Sequence, residues 1–122
     1  METSDLVLSL EAELRLAARL LILPAAGECL ACYVARMLGE FGCTGSRWVL
    51  HYRDLRTPRA TALVRRLQDM GVYCDCQMFQ NAYRPTLDLD SVAGIGELPP
   101  CLGVRAGSTR PCTNWQRIRR GC

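Results

Sequence analysis

Eight cysteines stand in this chain of 122 residues, and their spacing is its most chemical feature. Cys29 and Cys32 form a Cys-x2-Cys pair, Cys43 follows, Cys74 and Cys76 form a Cys-x-Cys pair, and Cys101, Cys112 and Cys122 lie further on. Thiolates grouped in this way are ligands for a soft ion, zinc first, and an iron–sulfur cluster can use the same four-thiolate set. The other use of so many cysteines is a disulfide framework, which needs an oxidising compartment. The expected compartment here is the cytoplasm, with no membrane partner. Glu2 and Asp5 open the chain, and Glu11, Glu13, Arg15 and Arg19 interrupt the apolar run that a secretory signal or a membrane span requires.

The elements that must position these thiols read as helices. Ser4 is a candidate cap for a segment in which Leu6, Leu10, Leu14, Ala17 and Leu21 recur at helical spacing until Pro24, an amphipathic docking helix. A second helix fits Leu30 to Phe41, with an apolar stripe of Leu30, Val34, Met37, Leu38 and Phe41 and with Gly42 as its C-terminal cap. A short third helix runs from about Trp48 to Leu55. Thr57 and Pro58 then predict the start of a fourth, carrying Ala60, Leu63, Val64, Leu67 and Met70 and ending at Gly71. Val72 to Cys76 reads as extended, which would point Cys74 and Cys76 the same way. The expected fold is all-α, a small four-helix domain over residues 1–83 with a cysteine metal site. An irregular Pro/Gly-rich basic tail over residues 84–122, including Leu87-Asp88-Leu89-Asp90, would lie over it.

Helix geometry limits how the thiols group. Cys32 and Cys43 flank the second helix, roughly 16 Å apart at 1.5 Å per residue, whereas ligands of one zinc lie within about 4 Å of each other. Two groupings survive. Cys29 and Cys32 join Cys74 and Cys76; or Cys43 joins Cys74 and Cys76, with a fourth ligand from His51 or the tail, and Cys29 and Cys32 meet Cys101 and Cys112. Cys122, beside Gly121, is the cysteine least expected to be bound.

Gly71-Val72-Tyr73-Cys74-Asp75-Cys76, followed by Asn81 and preceded by Cys43, resembles the bacterial domain-of-unknown-function family 2695 over roughly residues 29–83. The resemblance implies a small, metal-binding protein of unassigned role. This chain has Gly45 where many members carry histidine two residues after the early cysteine, and Gln77 where they carry glutamate. The missing histidine removes a fourth ligand beside Cys43.

His51, the only histidine, falls on the third helix beside Trp48 and Leu55 and reads as a packed, neutral side chain rather than a ligand or base. No nucleophile elbow, phosphate-binding glycine loop or carboxylate pair accompanies it, so the sequence favours a binding protein over an enzyme. The Cys29-x2-Cys32 spacing also allows a thiol–disulfide redox protein, without the strands such a site needs on either side. All basic residues are arginine, a compositional bias, yet residues 1–83 balance nine arginines with nine acids while residues 84–122 carry six against three. Arg105, Arg110, Arg117, Arg119 and Arg120, with Trp115 among them, form a footprint for RNA, the ribosome or an acidic protein.

Overall fold

The computed structural model describes residues 2–86 and 99–118. In chain order they form α1 (Glu2–Leu21), α2 (Leu30–Phe41), α3 (Arg47–Arg56), α4 (Leu63–Asp69), a 3-10 turn (Asp75–Gln77), a π turn (Met78–Ala82), β1 (Tyr83–Pro85) and β2 (Trp115–Arg117). The core is built around α2, whose Leu30, Ala31, Cys32, Tyr33, Val34 and Met37 are buried. Cys29 caps its start, the Cys32 amide donating to the Cys29 Sγ at 3.4 Å, and the Gly42 amide closes its end on the Leu38 carbonyl at 3.0 Å. Trp48, Val49 and Tyr52 of α3 pack here, with the Tyr33 ring 6.4 Å from that of Trp48 and 5.7 Å from that of Tyr52. Burial of each such side chain contributes about 1.5–3 kcal/mol.

Helix α4 is shorter than the sequence predicts. The Thr57 amide closes α3 by donating to the Arg53 carbonyl at 2.9 Å, so Thr57 is a C-cap rather than an N-cap. Pro58 disfavours helical backbone at the residue before it, and Thr57 adopts φ −137°, ψ 55°. The chain then turns, with Ala60 N–H on the Thr57 carbonyl, before α4 begins at Leu63. Its end is well determined. The Gly71 amide reaches the Gln68 carbonyl (2.9 Å) and the Val72 amide the Leu67 carbonyl (2.8 Å), while Val72 and Leu67 are both buried. This is the paired closure that a left-handed residue allows, and Gly71 supplies it with φ 90°.

The fold is mostly helical but not all-α. β1 and β2 pair antiparallel, Arg84 opposite Gln116, and the ladder is extended by Thr86 N–H to the Asn114 carbonyl and Ile118 N–H to the Ala82 carbonyl. Three-residue strands are too short to show a period in the sequence. Residues 99–118 thereby cross the start of α2: Val104 N–H meets the Gly27 carbonyl at 2.9 Å, Cys112 and Trp115 join the core, and the Trp115 ring lies 4.9 Å from Phe79. The Leu87–Asp90 alternation falls outside the described residues.

Helix α1 already includes Ser4, so Ser4 does not mark its start. Every residue from Leu6 to Leu21 is exposed, so the apolar face expected to dock is not covered by the described residues. Ile22 is the first to pack against the core, and Arg36 holds the junction by donating to the Leu23 carbonyl and to Glu28. No helix among the described residues is long and apolar enough to cross a membrane.

Candidate metal centres

The seven described cysteines are free thiols and fall into two clusters, Cys29/Cys32/Cys101/Cys112 and Cys43/Cys74/Cys76, with the sulfurs of each within 4.8 Å of one another. Cys29 and Cys32 do not meet Cys74 and Cys76. Residues 99–118 bring Cys101 and Cys112 over the start of α2, and the Cys74–Cys76 turn is held at the start of α3.

In the four-thiol cluster Cys29, Cys32 and Cys112 are buried and Cys101 is half-buried. The Cys32 and Cys112 sulfurs lie 3.7 Å apart. Four sulfurs about 2.3 Å from a tetrahedral zinc would be about 3.8 Å apart, close to the separation seen for Cys32 and Cys112. Its sulfurs are also supplied with donors: Cys29 N–H (3.2 Å) and Gly103 N–H (3.4 Å) reach the Cys101 Sγ, Cys32 N–H reaches the Cys29 Sγ, and the Trp115 indole N–H reaches the Cys32 Sγ at 3.2 Å. N–H donors aimed at sulfur favour the thiolate and fix its position. The Cys29 pKa is lowered to about 5, chiefly by its hydrogen bond with Cys32, while sharing that bond and burial push Cys32 up. Of that pair, Cys29 is therefore the readier thiolate.

The three-thiol cluster is nearer the surface, with Cys43 exposed. Cys74 is extended (φ −143°, ψ 164°), but Asp75–Gln77 wind into a 3-10 turn, so the expected extended run does not form. The thiols of Cys74 and Cys76 still face one another at 3.0 Å. Hydrogen bonding from Cys76 lowers the Cys74 pKa, and the same contact, with Cys43 adding to it, raises Cys76 to about 12. The winding turns the residue between them inward. Asp75 is fully buried, and its carboxylate accepts from the Trp48 amide (2.9 Å) and the Val49 amide (3.1 Å), capping α3 from outside the helix. Burial raises its pKa and the two amides oppose that rise. The Asp75 amide donates to the Gly45 carbonyl at 2.8 Å, which draws the Cys43 loop against the Cys-Asp-Cys turn. Sequence reasoning missed Asp75. Its signal was an acid, inside a motif of ligands, able to cap a helix whose own Ser46 makes no side-chain cap.

His51 supplies no fourth ligand. The Tyr33 hydroxyl donates to the Ile22 carbonyl at 2.6 Å, so at 2.7 Å it accepts from His51 Nδ1–H, which fixes the neutral tautomer. Burial, then the charge of Arg47, lowers the His51 pKa.

Of the residues predicted to meet RNA or an acidic partner, Arg105, Arg110 and Arg117 are exposed, and Arg119 and Arg120 fall outside the described residues. Trp115 is buried with its N–H on sulfur, so it offers no ring to a base. Arg66 of α4, which sequence reasoning missed, lines one cleft with Arg105 and Arg110 and donates to Thr109 Oγ1 at 3.3 Å.

Residues 30–81 match the family model described as Protein of unknown function (DUF2695). The matched segment runs from the start of α2 into the π turn and holds all of Cys43, Cys74, Asp75 and Cys76, but only Cys32 of the four-thiol cluster. No curated protein and no solved structure gave a match.

Proposed function

We propose that this chain is a zinc-structured binding protein of the cytoplasm, acting as an adaptor rather than an enzyme. The observation that carries the reading is the convergence of four thiols from distant parts of the described chain, Cys29 and Cys32 with Cys101 and Cys112, at spacing that suits a tetrahedral ion. A closed four-thiolate zinc site stabilises a fold and leaves no position for a reactant. The thiol–disulfide alternative needs Cys29 and Cys32 to exchange with each other; both instead share sulfur neighbours from the tail.

Elemental analysis of protein prepared without added metal tests this. The expected result is at least one zinc per chain, retained in the presence of reductant, with slow-reacting thiols at the four-thiol cluster. Metal-free, folded protein whose Cys29 and Cys32 cycle at a measurable potential would overturn it.

The binding role draws on the cleft lined by Arg66, Arg105 and Arg110, among whose lining residues there is no acid. Three guanidinium groups with the hydroxyls of Ser108 and Thr109 suit the phosphates of a single RNA strand. Replacing Arg105 and Arg110 by alanine should weaken binding of a labelled RNA oligonucleotide and lower the slope of log affinity against log salt by about 0.7 for each phosphate no longer neutralised. An unchanged slope would move the partner elsewhere.

A further inference from the structure

The second cluster differs from the first in one respect that has chemical consequences. Cys43, Cys74 and Cys76 bring three sulfurs within 4.8 Å of one another, and among the described residues no other cysteine, histidine or carboxylate joins them. The nearby candidates are engaged elsewhere. Both oxygens of Asp75, which lies between two of the thiols in sequence, are held by the Trp48 and Val49 amides. His51 lies outside the group, with its Nδ1 on Tyr33. Position 45 carries no side chain, and a Cβ built there meets no atom within 4 Å, so the Cys43 loop borders open space. Cys43 itself is exposed, and the neighbouring Tyr73 is 65% exposed.

Three protein ligands with a fourth position open to solvent is the arrangement of a reactive zinc site, in contrast to the filled shell of a structural one. We infer that Cys43, Cys74 and Cys76 hold a second zinc whose fourth position is exchangeable and accepts a thiol from outside the chain. This rests on the reading of the chain as a zinc protein. A thiol suits this position because zinc takes a fourth thiolate readily, as in sites built from four cysteines. When an external thiol binds, its sulfur forms the new bond to the ion, its proton passes to solvent and a water molecule is displaced. No electron is transferred, so no oxidant or reductant is required. The site is then a thiol-binding centre beside the Cys-Asp-Cys turn, while the four-thiol centre holds the fold.

Cobalt(II) replacing zinc in the full-length protein gives the test, because sulfur-to-cobalt charge-transfer absorption grows with the number of bound thiolates. The expected result is two ions per chain and an absorption increment on titration with 2-mercaptoethanol corresponding to one added thiolate. That increment should be absent from Cys43→Ser, which keeps one ion and, with an exposed side chain altered, its helicity; Cys76→Ser provides a second variant with the same expected loss. One ion per chain in the wild type, retained in Cys43→Ser, would overturn the inference and leave the zinc-structured reading standing. Two ions with a spectrum that ignores the added thiol but changes in Cys122→Ser would overturn it differently, by assigning the fourth position to the chain. No metal in either cluster would remove both readings.

Discussion

Asp75 divides the Cys-Asp-Cys sequence between two tasks, since the winding that faces both thiols outward sends the carboxylate into the core. Two α3 amides depend on it, and a buried amide without an acceptor costs roughly 1–3 kcal/mol. Asp75→Asn keeps one acceptor and sets an NH2 group against the other amide. It should lower stability by about 1–2 kcal/mol, read as a lower urea midpoint at constant slope, and reduce metal held by Cys43, Cys74 and Cys76 before that at the four-thiol cluster. A wild-type midpoint would mean that α3 is capped by water instead. His51 gives a second prediction at this scale. Its pKa in the folded chain lies below 6.5, so its neutral form contributes stability that is complete above pH 6.5 and is lost as pH falls through the depressed value. Because it is the only histidine, one set of ring resonances reports it. The midpoint should fall below 6.5 with metal bound; a ring that fails to titrate until metal is released would make His51 a ligand.

Elements were legible in the sequence to different depths, for reasons that can be assigned. The bounds of α2 were readable because Gly42 and the apolar stripe act locally, and one helix of that length was enough to separate Cys32 from Cys43. Which thiols Cys29 and Cys32 would meet was not readable, since that depends on the path of residues 99–118, which is fixed by Trp115 on Phe79 and by a ladder of three residues. The start of α4 was misread because Thr57 is a good cap for two different ends, and the Arg53 carbonyl claims its amide first. That choice leaves a trace. Thr57 is buried and its Oγ1 has no hydrogen-bond partner among the described residues. Thr57→Val removes an unpaired buried hydroxyl at nearly constant volume, and should raise stability by up to about 1 kcal/mol, seen as a higher thermal midpoint. Destabilisation would show that the hydroxyl is satisfied in solution.

At the scale of the whole molecule, an ion held by the four-thiol cluster would cross-link distant parts of the chain. Cys32 and Cys112 are 80 residues apart, and among the described residues the tail meets the rest of the chain at this cluster, the Trp115 ring, one short ladder and the Val104–Gly27 and Arg66–Thr109 hydrogen bonds. A bond closing a loop of that length removes roughly 4–5 kcal/mol of chain entropy from the unfolded state, an upper figure for a metal clip because thiols in the unfolded chain also bind zinc. Stripping the metal with a chelator should therefore lower the thermal midpoint by roughly 10–20 °C. The loss should begin in the tail. The Ile118 amide on Ala82 and the Thr86 amide on Asn114 belong to the ladder and should lose hydrogen-exchange protection first. The Gly42 amide, closed on Leu38 within α2, should keep its protection longer. Cys112→Ser should reproduce that order without chelator, because it cuts the same link from the tail side, whereas Cys43→Ser should leave the ladder protected. Equal protection of Ile118 with and without metal would mean that Trp115 and the sheet suffice to hold the tail, and that the four thiols do not govern the fold.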